Sequence, residues 1–249
     1  LYHMENKIYN LLFEAAKTPK EALKSGVAAI KTKYLDQEAV LLLSTNRATR
    51  IINNRPEDNI DLALESQAVV GAIQYQSDGD DLYTINKSAG VNKFGPLTYQ
   101  CVMKAITPNW LRSDTMLSED SFHVWQKMYE FSTKAGGGVY KRKWLGDFYP
   151  PYVHAMLDTA SGHITNKKFE AIKDKIYAKD ITTEDEVVAL LGAYAPLVGC
   201  LWAYQLAKPF TLINKMFEDG EEIVALAEEK GFKREKFVLV ASNFFDRIY

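Results

Sequence analysis

Apolar positions fall in short blocks separated by polar turns, and the block lengths assign most of the elements. Residues 68–76 form a compact apolar block that reads as a β-strand. Ser77, Asp78, Gly79, Asp80 and Asp81 read as a hairpin turn, and residues 82–88 as the returning strand. The segment from Gly90 to Pro96 then turns the chain into an apolar helix over 97–106. After Pro108, residues 110–114 make a further strand, and Ser118, Glu119, Asp120 and Ser121 open a helix carrying Trp125 and Tyr129. Upstream, Ile8, Leu11, Leu12 and Ala15 share one helical face. Thr18 and Pro19 break that helix, and residues 21–30 form a second one. Residues 39–44 are a strand, residues 47–54 its antiparallel neighbour, and Asn53, Asn54, Arg55 and Pro56 a turn. Downstream, residues 169–177 and 218–230 are helical, and 237–240 return as an edge strand. Helices, strands, helix, strand and helix in this order specify a mixed α/β (α+β) fold.

The stretch 187–207 carries no charged residue and is long enough to span a bilayer. Pro196 near its middle opposes a continuous helix, because its ring disrupts the preceding turn. Two buried helices, 183–191 and 196–207, are the better expectation, and no membrane span.

Composition narrows the class. The chain has 249 residues, of which 47% are hydrophobic and 25% charged, so material for a core is ample. A net charge of −2 argues against broad, unspecific nucleic-acid binding. Cys101 and Cys200, far apart and in apolar surroundings, read as reduced core thiols and point to the cytoplasm. Leu1, Tyr2 and His3 read as a cloning remnant ahead of a start at Met4, with no secretory signal after it.

Candidate chemistry concentrates at the glycine turn. A turn feeding a helix N-terminus aims backbone N–H groups at one spot, which suits phosphate. The plain alternative is a capped strand–turn–helix with no ligand. Ala135, Gly136, Gly137 and Gly138 mark the junction of the two parts of the chain, residues 5–135 and 136–249. Lys141, Arg142, Lys143 and Trp144 follow, where basic and aromatic residues in a loop suit DNA phosphates and bases, or simply a solvated loop. His123, His154 and His163 have no metal-ligand spacing. Ser113, His154 and Asp158 make a triad only on paper, without a nucleophile elbow. Asp114, at a strand end, is either a turn residue or a base.

The run Gly90-Val91-Asn92-Lys93-Phe94-Gly95-Pro96-Leu97, with Arg112-Ser113-Asp114, Ser118, Ser121, Val124, Trp125 and the later Ala203-Tyr204-Gln205-Leu206, resembles the GCN5-related N-acetyltransferase (GNAT) family, in the divergent form found in tailed bacteriophages. The resemblance covers about residues 35–135 and implies a mixed, mostly antiparallel twisted sheet with flanking helices and a helical C-terminal extension. It also implies an acyl or group transferase that uses acetyl-CoA or another CoA thioester as a small-molecule donor. The acceptor would be an amine on a small molecule, a protein or a nucleobase. Gly90, Val91, Asn92, Lys93, Phe94 and Gly95 would hold the cofactor, a backbone N–H near Ser88 the oxyanion, and Asp114 the amine proton. The chain departs from the family pattern at several positions. Gly90 stands where the phosphate loop has Gln or Arg, Lys93 at its middle glycine, and Trp125 where a tyrosine protonates the leaving thiolate. An indole N–H is not an acid near neutral pH, so Tyr129 or Ser121 would take that role. A non-catalytic phage module, in the virion or on a host protein, is the alternative, and the expected location is the cytoplasm of an infected bacterium or the virion.

Overall fold

The computed structural model describes residues 17–79, 81–112, 124–125, 140–143, 150–162, 164, 166–179, 181–192, 194, 203–206 and 211–249. These form two compact units, each discontinuous in sequence. The first comprises Leu1–Gln76, Asn86–Ala105 and Pro209–Tyr249, and the second Ser77–Ile85 and Ile106–Lys208.

The first unit opens with helix α1 (Pro19–Lys24), whose start is fixed by a capping box between Thr18 and Glu21. The expected helix over 21–30 stops at Lys24. Gly26 takes φ 65°, a left-handed conformation that ends helices, and Val27–Tyr34 is strand β1. Strand β2 (Gln37–Ser44) returns antiparallel, with Val27 opposite Ser44 and Tyr34 opposite Gln37. Residues 39–43 of β2 are fully buried, as in a strand covered on both faces.

Residues 45–54 are not the expected strand but helix α2 (Thr45–Asn54). Ala48, Ile51 and Ile52 are buried and Arg47, Arg50 and Asn53 exposed, which is the three-to-four spacing of a helix face. After a short 3-10 turn (Glu57–Asn59) and helix α3 (Ile60–Gln67), strand β3 (Val69–Ser77) pairs antiparallel with β2. Strand β4 (Leu82–Gly90) follows through the expected hairpin, and the order in this unit is β1-β2-β3-β4.

Two further helices complete the unit, α8 (Thr211–Glu229) and α9 (Lys236–Ile248). The expected edge strand at 237–240 lies within α9. Its short apolar run was ambiguous, and the burial of Phe237, Val240, Ala241, Phe244 and Phe245 follows the helical period. Ala39, Leu41 and Leu43 join Ile223, Val224, Phe237, Val240 and Phe244 in one core. On the opposite face, helix α4 (Gly95–Ile106) places Thr98 over Gly71 and Leu42, close enough that a Cβ on Gly71 would lie 3.0 Å from the threonine methyl.

In the second unit, residues 82–84 of β4 pair in parallel with strand β5 (Trp110–Arg112): Leu82 with Trp110, Tyr83 with Leu111, Thr84 with Arg112. Parallel neighbours need a crossover, and α4 supplies it. Arg112 ties this pair together. Its guanidinium donates to Thr84 Oγ1 at 2.6 Å and to Asp78 Oδ2 at 2.8 Å, and Thr84 donates to the same carboxylate.

Strands β6 (Tyr140–Lys143) and β7 (Ala203–Leu206) continue the order as β4-β5-β7-β6, both β7 pairings being antiparallel. The basic segment expected as a loop is therefore strand over 140–143, and the expected helix 196–207 is strand over 203–206. Two flanking strands supply β7 with ladder partners, which outweighs its helix-like composition. Helices α5 (Pro150–Ser161), α6 (Lys167–Ala178) and α7 (Glu184–Leu191) complete the unit, the last as expected. Among the described residues no helix is long and apolar enough to cross a membrane.

Candidate functional site

The candidate loop lies within the first unit, between β4 and α4. Just past the end of β4, Val91 N–H donates to Val70 C=O of β3 at 2.9 Å. Phe94 N–H then donates to Val91 C=O at 3.1 Å across a turn whose central residues, Asn92 and Lys93, have φ 51° and 71°. Positive φ at both central positions is type I′ geometry. Asparagine tolerates it, whereas for lysine it costs on the order of 1 kcal/mol.

Phe94 turns inward and is buried, while Asn92 and Lys93 are exposed. Leu97 N–H closes the first helical turn onto Phe94 C=O at 3.1 Å, and Thr98 Oγ1 donates to Gly95 C=O at 2.6 Å. Among the described residues no backbone carbonyl accepts from the N–H groups of Asn92, Lys93 or Gly95. Pro96 has no N–H to satisfy, as suits the start of a helix. The loop is held from outside by Lys17, whose N–H donates to Lys93 C=O at 3.0 Å.

The two loop glycines have different reasons to be glycine. A Cβ on Gly90 would fall 2.5 Å from Gly95 Cα and closer still to Gly95 N. Gly90 is thus required by the close packing of the loop's own two arms. Among the described residues, a Cβ on Gly95 would meet nothing nearer than Gly90 N at 3.9 Å, so none of them demands glycine there.

Ser88 lies two residues before the end of β4 and is held at two points. Its hydroxyl pairs with Tyr99 Oη at 2.7 Å, and its backbone carbonyl accepts from Tyr249 Oη at 2.5 Å. Tyr99 is buried on α4, while Tyr249 follows α9 and is 80% exposed. Neither tyrosine was a sequence candidate. Tyr99 carried a usable signal, since a phenol on an apolar helix face needs a polar partner. Tyr249 carried none, because its partner is 161 residues away.

Asp114, Ser121 and Tyr129, the other catalytic candidates, lie outside the described residues, as do Trp144 and Ser113. Trp125 is buried at 1% exposure in a helical turn with Val124. Cys101 is a buried free thiol, and burial pushes its pKa up, so it is unreactive in the folded state. Cys200 lies outside the described residues.

Asp158 does not serve His154. Its Oδ1 accepts from Tyr177 Oη at 2.5 Å, and the Tyr177 ring meets the imidazole edge-on at 4.5 Å between centroids. Burial first, and then the Asp158 carboxylate, push the Tyr177 phenol up. Among the described residues no three His, Cys, Asp or Glu side chains are grouped to hold a metal ion.

No protein-family model matches this chain, and no curated protein or solved structure matches it either.

Proposed function

We propose that the protein is an acyl or group transferase of the GNAT-like type, acting on an amine acceptor with a CoA thioester as donor. The observation that carries this reading is the parallel pairing of β4 with β5 across the α4 crossover, whereas β1–β2, β2–β3, β5–β7 and β6–β7 run antiparallel. The loop at the head of α4 suits the pyrophosphate of such a donor. Among the described residues the N–H groups of Asn92, Lys93 and Gly95 are without backbone acceptors, the helix start favours negative charge, and Lys93 is an exposed ammonium in the same turn. Lys93 takes the place of a glycine by adding a direct charge contact where bare backbone would otherwise approach. Gly95, which no contact among the described residues requires, leaves room for a phosphate oxygen at the backbone.

When bound, the thioester supplies an activated acyl carbon for attack by the acceptor amine. The backbone near Ser88 would stabilise the oxyanion. Asp114 would take the proton released by the amine, and Tyr129 or Ser121 would donate one to the departing thiolate. The acceptor is a small molecule, a protein or a nucleobase, with DNA drawn by Lys141, Arg142, Lys143 and Trp144. The protein would act in the cytoplasm of an infected bacterium.

A second reading, a non-catalytic module of the virion or of a host-binding complex, draws on Gly90. Its packing against Gly95 gives that glycine a structural reason with no ligand involved.

Thermal-shift titration with CoA and acetyl-CoA, beside ADP and duplex DNA, separates the two. A ligand at a hundredfold excess over Kd adds about 2.7 kcal/mol. That raises Tm by roughly 5–11 °C for a chain of this size. Lys93→Ala should reduce the CoA shift, and absence of any CoA response in the wild-type protein would remove the transferase reading.

A further inference from the structure

We propose that Tyr99 and Tyr249 are positioning residues for the β4–α4 loop, acting through Ser88; the inference rests on the cofactor reading above. Ser88 lies two residues before Gly90, roughly 7 Å along an extended strand. Two of its polar groups are engaged by different parts of the first unit, the hydroxyl by Tyr99 at 2.7 Å and the carbonyl by Tyr249 at 2.5 Å. Tyr249 thus holds the backbone of Ser88 and Tyr99 its side chain, so the residue is fixed at two points.

The far end of the same loop is fixed by Lys17 on Lys93 C=O and by the contact of Gly90 with Gly95. Between these fixed ends lie two non-glycine residues in left-handed conformations, Asn92 and Lys93. A turn of that kind keeps its shape only when its surroundings over-determine it. Releasing the Ser88 end lets the turn relax, and the N–H groups of Asn92, Lys93 and Gly95 then lose their common aim. Because ligand affinity depends on that aim and global stability on the core, the two quantities separate. Tyr249 is suited to this separation. The residue is 80% exposed, so loss of the hydroxyl removes the hydrogen bond to Ser88 and little packing.

The test is calorimetric titration of CoA into the wild-type protein and the Tyr249→Phe, Tyr99→Phe, Ser88→Ala and Ser88→Thr variants, each with its urea unfolding midpoint. Tyr249→Phe and Ser88→Ala should each weaken CoA about fivefold, the effect of one hydrogen bond. Ser88→Thr should keep wild-type affinity, and the midpoint of Tyr249→Phe should fall by no more than one exposed hydrogen bond accounts for. Unchanged CoA affinity in both Tyr249→Phe and Ser88→Ala overturns the positioning role, as does a loss of affinity that merely follows a fall in the midpoint. If Lys93→Ala weakens CoA while these variants bind normally, the cofactor reading stands and only the positioning role fails. If the wild-type protein does not bind CoA, both fall.

Discussion

Gly220 offers the sharpest test of how the first unit is packed. It sits in the middle of α8 against strand β1, where a Cβ would lie 2.7 Å from the Ala29 carbonyl carbon and nearer still to its oxygen. An ordinary contact begins near 3.4 Å, so Gly220→Ala forces α8 and β1 apart by at least about 0.7 Å, the difference of those two distances. Both sides of the clash are backbone, and no rotamer relieves it. A gap of that size forfeits a quarter to a half of the dispersion contact of neighbouring atoms. Ile213, Met216, Ile223, Val224 and Ala227 of α8 are all buried and would share that loss.

Overpacking of this kind costs about 1–3 kcal/mol, and a backbone clash belongs at or above the upper end. Alanine returns about 1 kcal/mol through its helix propensity. The net expectation is a loss of about 2 kcal/mol, or a fall in Tm of roughly 4–8 °C. The control is Ala225→Gly on the exposed face of the same helix, which reports propensity alone and should lower stability by about 1 kcal/mol. Paired urea and thermal denaturation of the two variants provides the measurement. Gly220→Ala at or above wild-type stability would show that α8 does not lie on β1 as described.

The loop glycines should separate in the same manner. Gly90→Ala should unsettle the β4–α4 turn even without ligand, seen as faster amide exchange over residues 91–95. Gly95→Ala should leave that exchange unchanged and weaken CoA alone. Thr84→Val keeps the β-branched shape but removes the hydroxyl between Arg112 and Asp78, and should cost about 1 kcal/mol. Its effect should appear as lost exchange protection in the paired segments of β4 and β5; protection equal to wild type would dismiss the tie. The Glu21 carboxyl is held below its ordinary pKa, first by the Thr18 N–H and then by the Thr18 hydroxyl. A depressed folded pKa gives stability that is present above the ordinary glutamate range and lost as pH falls through the folded value. Wild type should therefore exceed Glu21→Gln near neutrality and converge with it in acid; a gap that persists in acid would refute the assignment.

What the sequence determined by itself was local. The strand at 69–77, the hairpin into β4, the helix after Gly95 and the strand after Pro108 each carry their own punctuation, in Gly79, Gly95, Pro96 and Pro108. The glycine turn could be named as a candidate site for the same reason, because its residues are consecutive. Short apolar runs without such signals could not be assigned alone. Residues 237–240 became helix through the core that covers Phe237, Val238 and Val240, and 203–206 strand through the two ladders that flank it, neither of which is written in a run of four residues. Tertiary structure also decided why each loop glycine is there. Gly90 answers to Gly95, five residues away, and only the closed turn brings them together. The hold on Ser88 was least legible of all. It joins the end of β4 to Tyr99 on α4 and to Tyr249 beyond α9, and a hydrogen bond spanning 161 residues leaves no trace in local pattern, because neither end needs the other to form its own secondary structure.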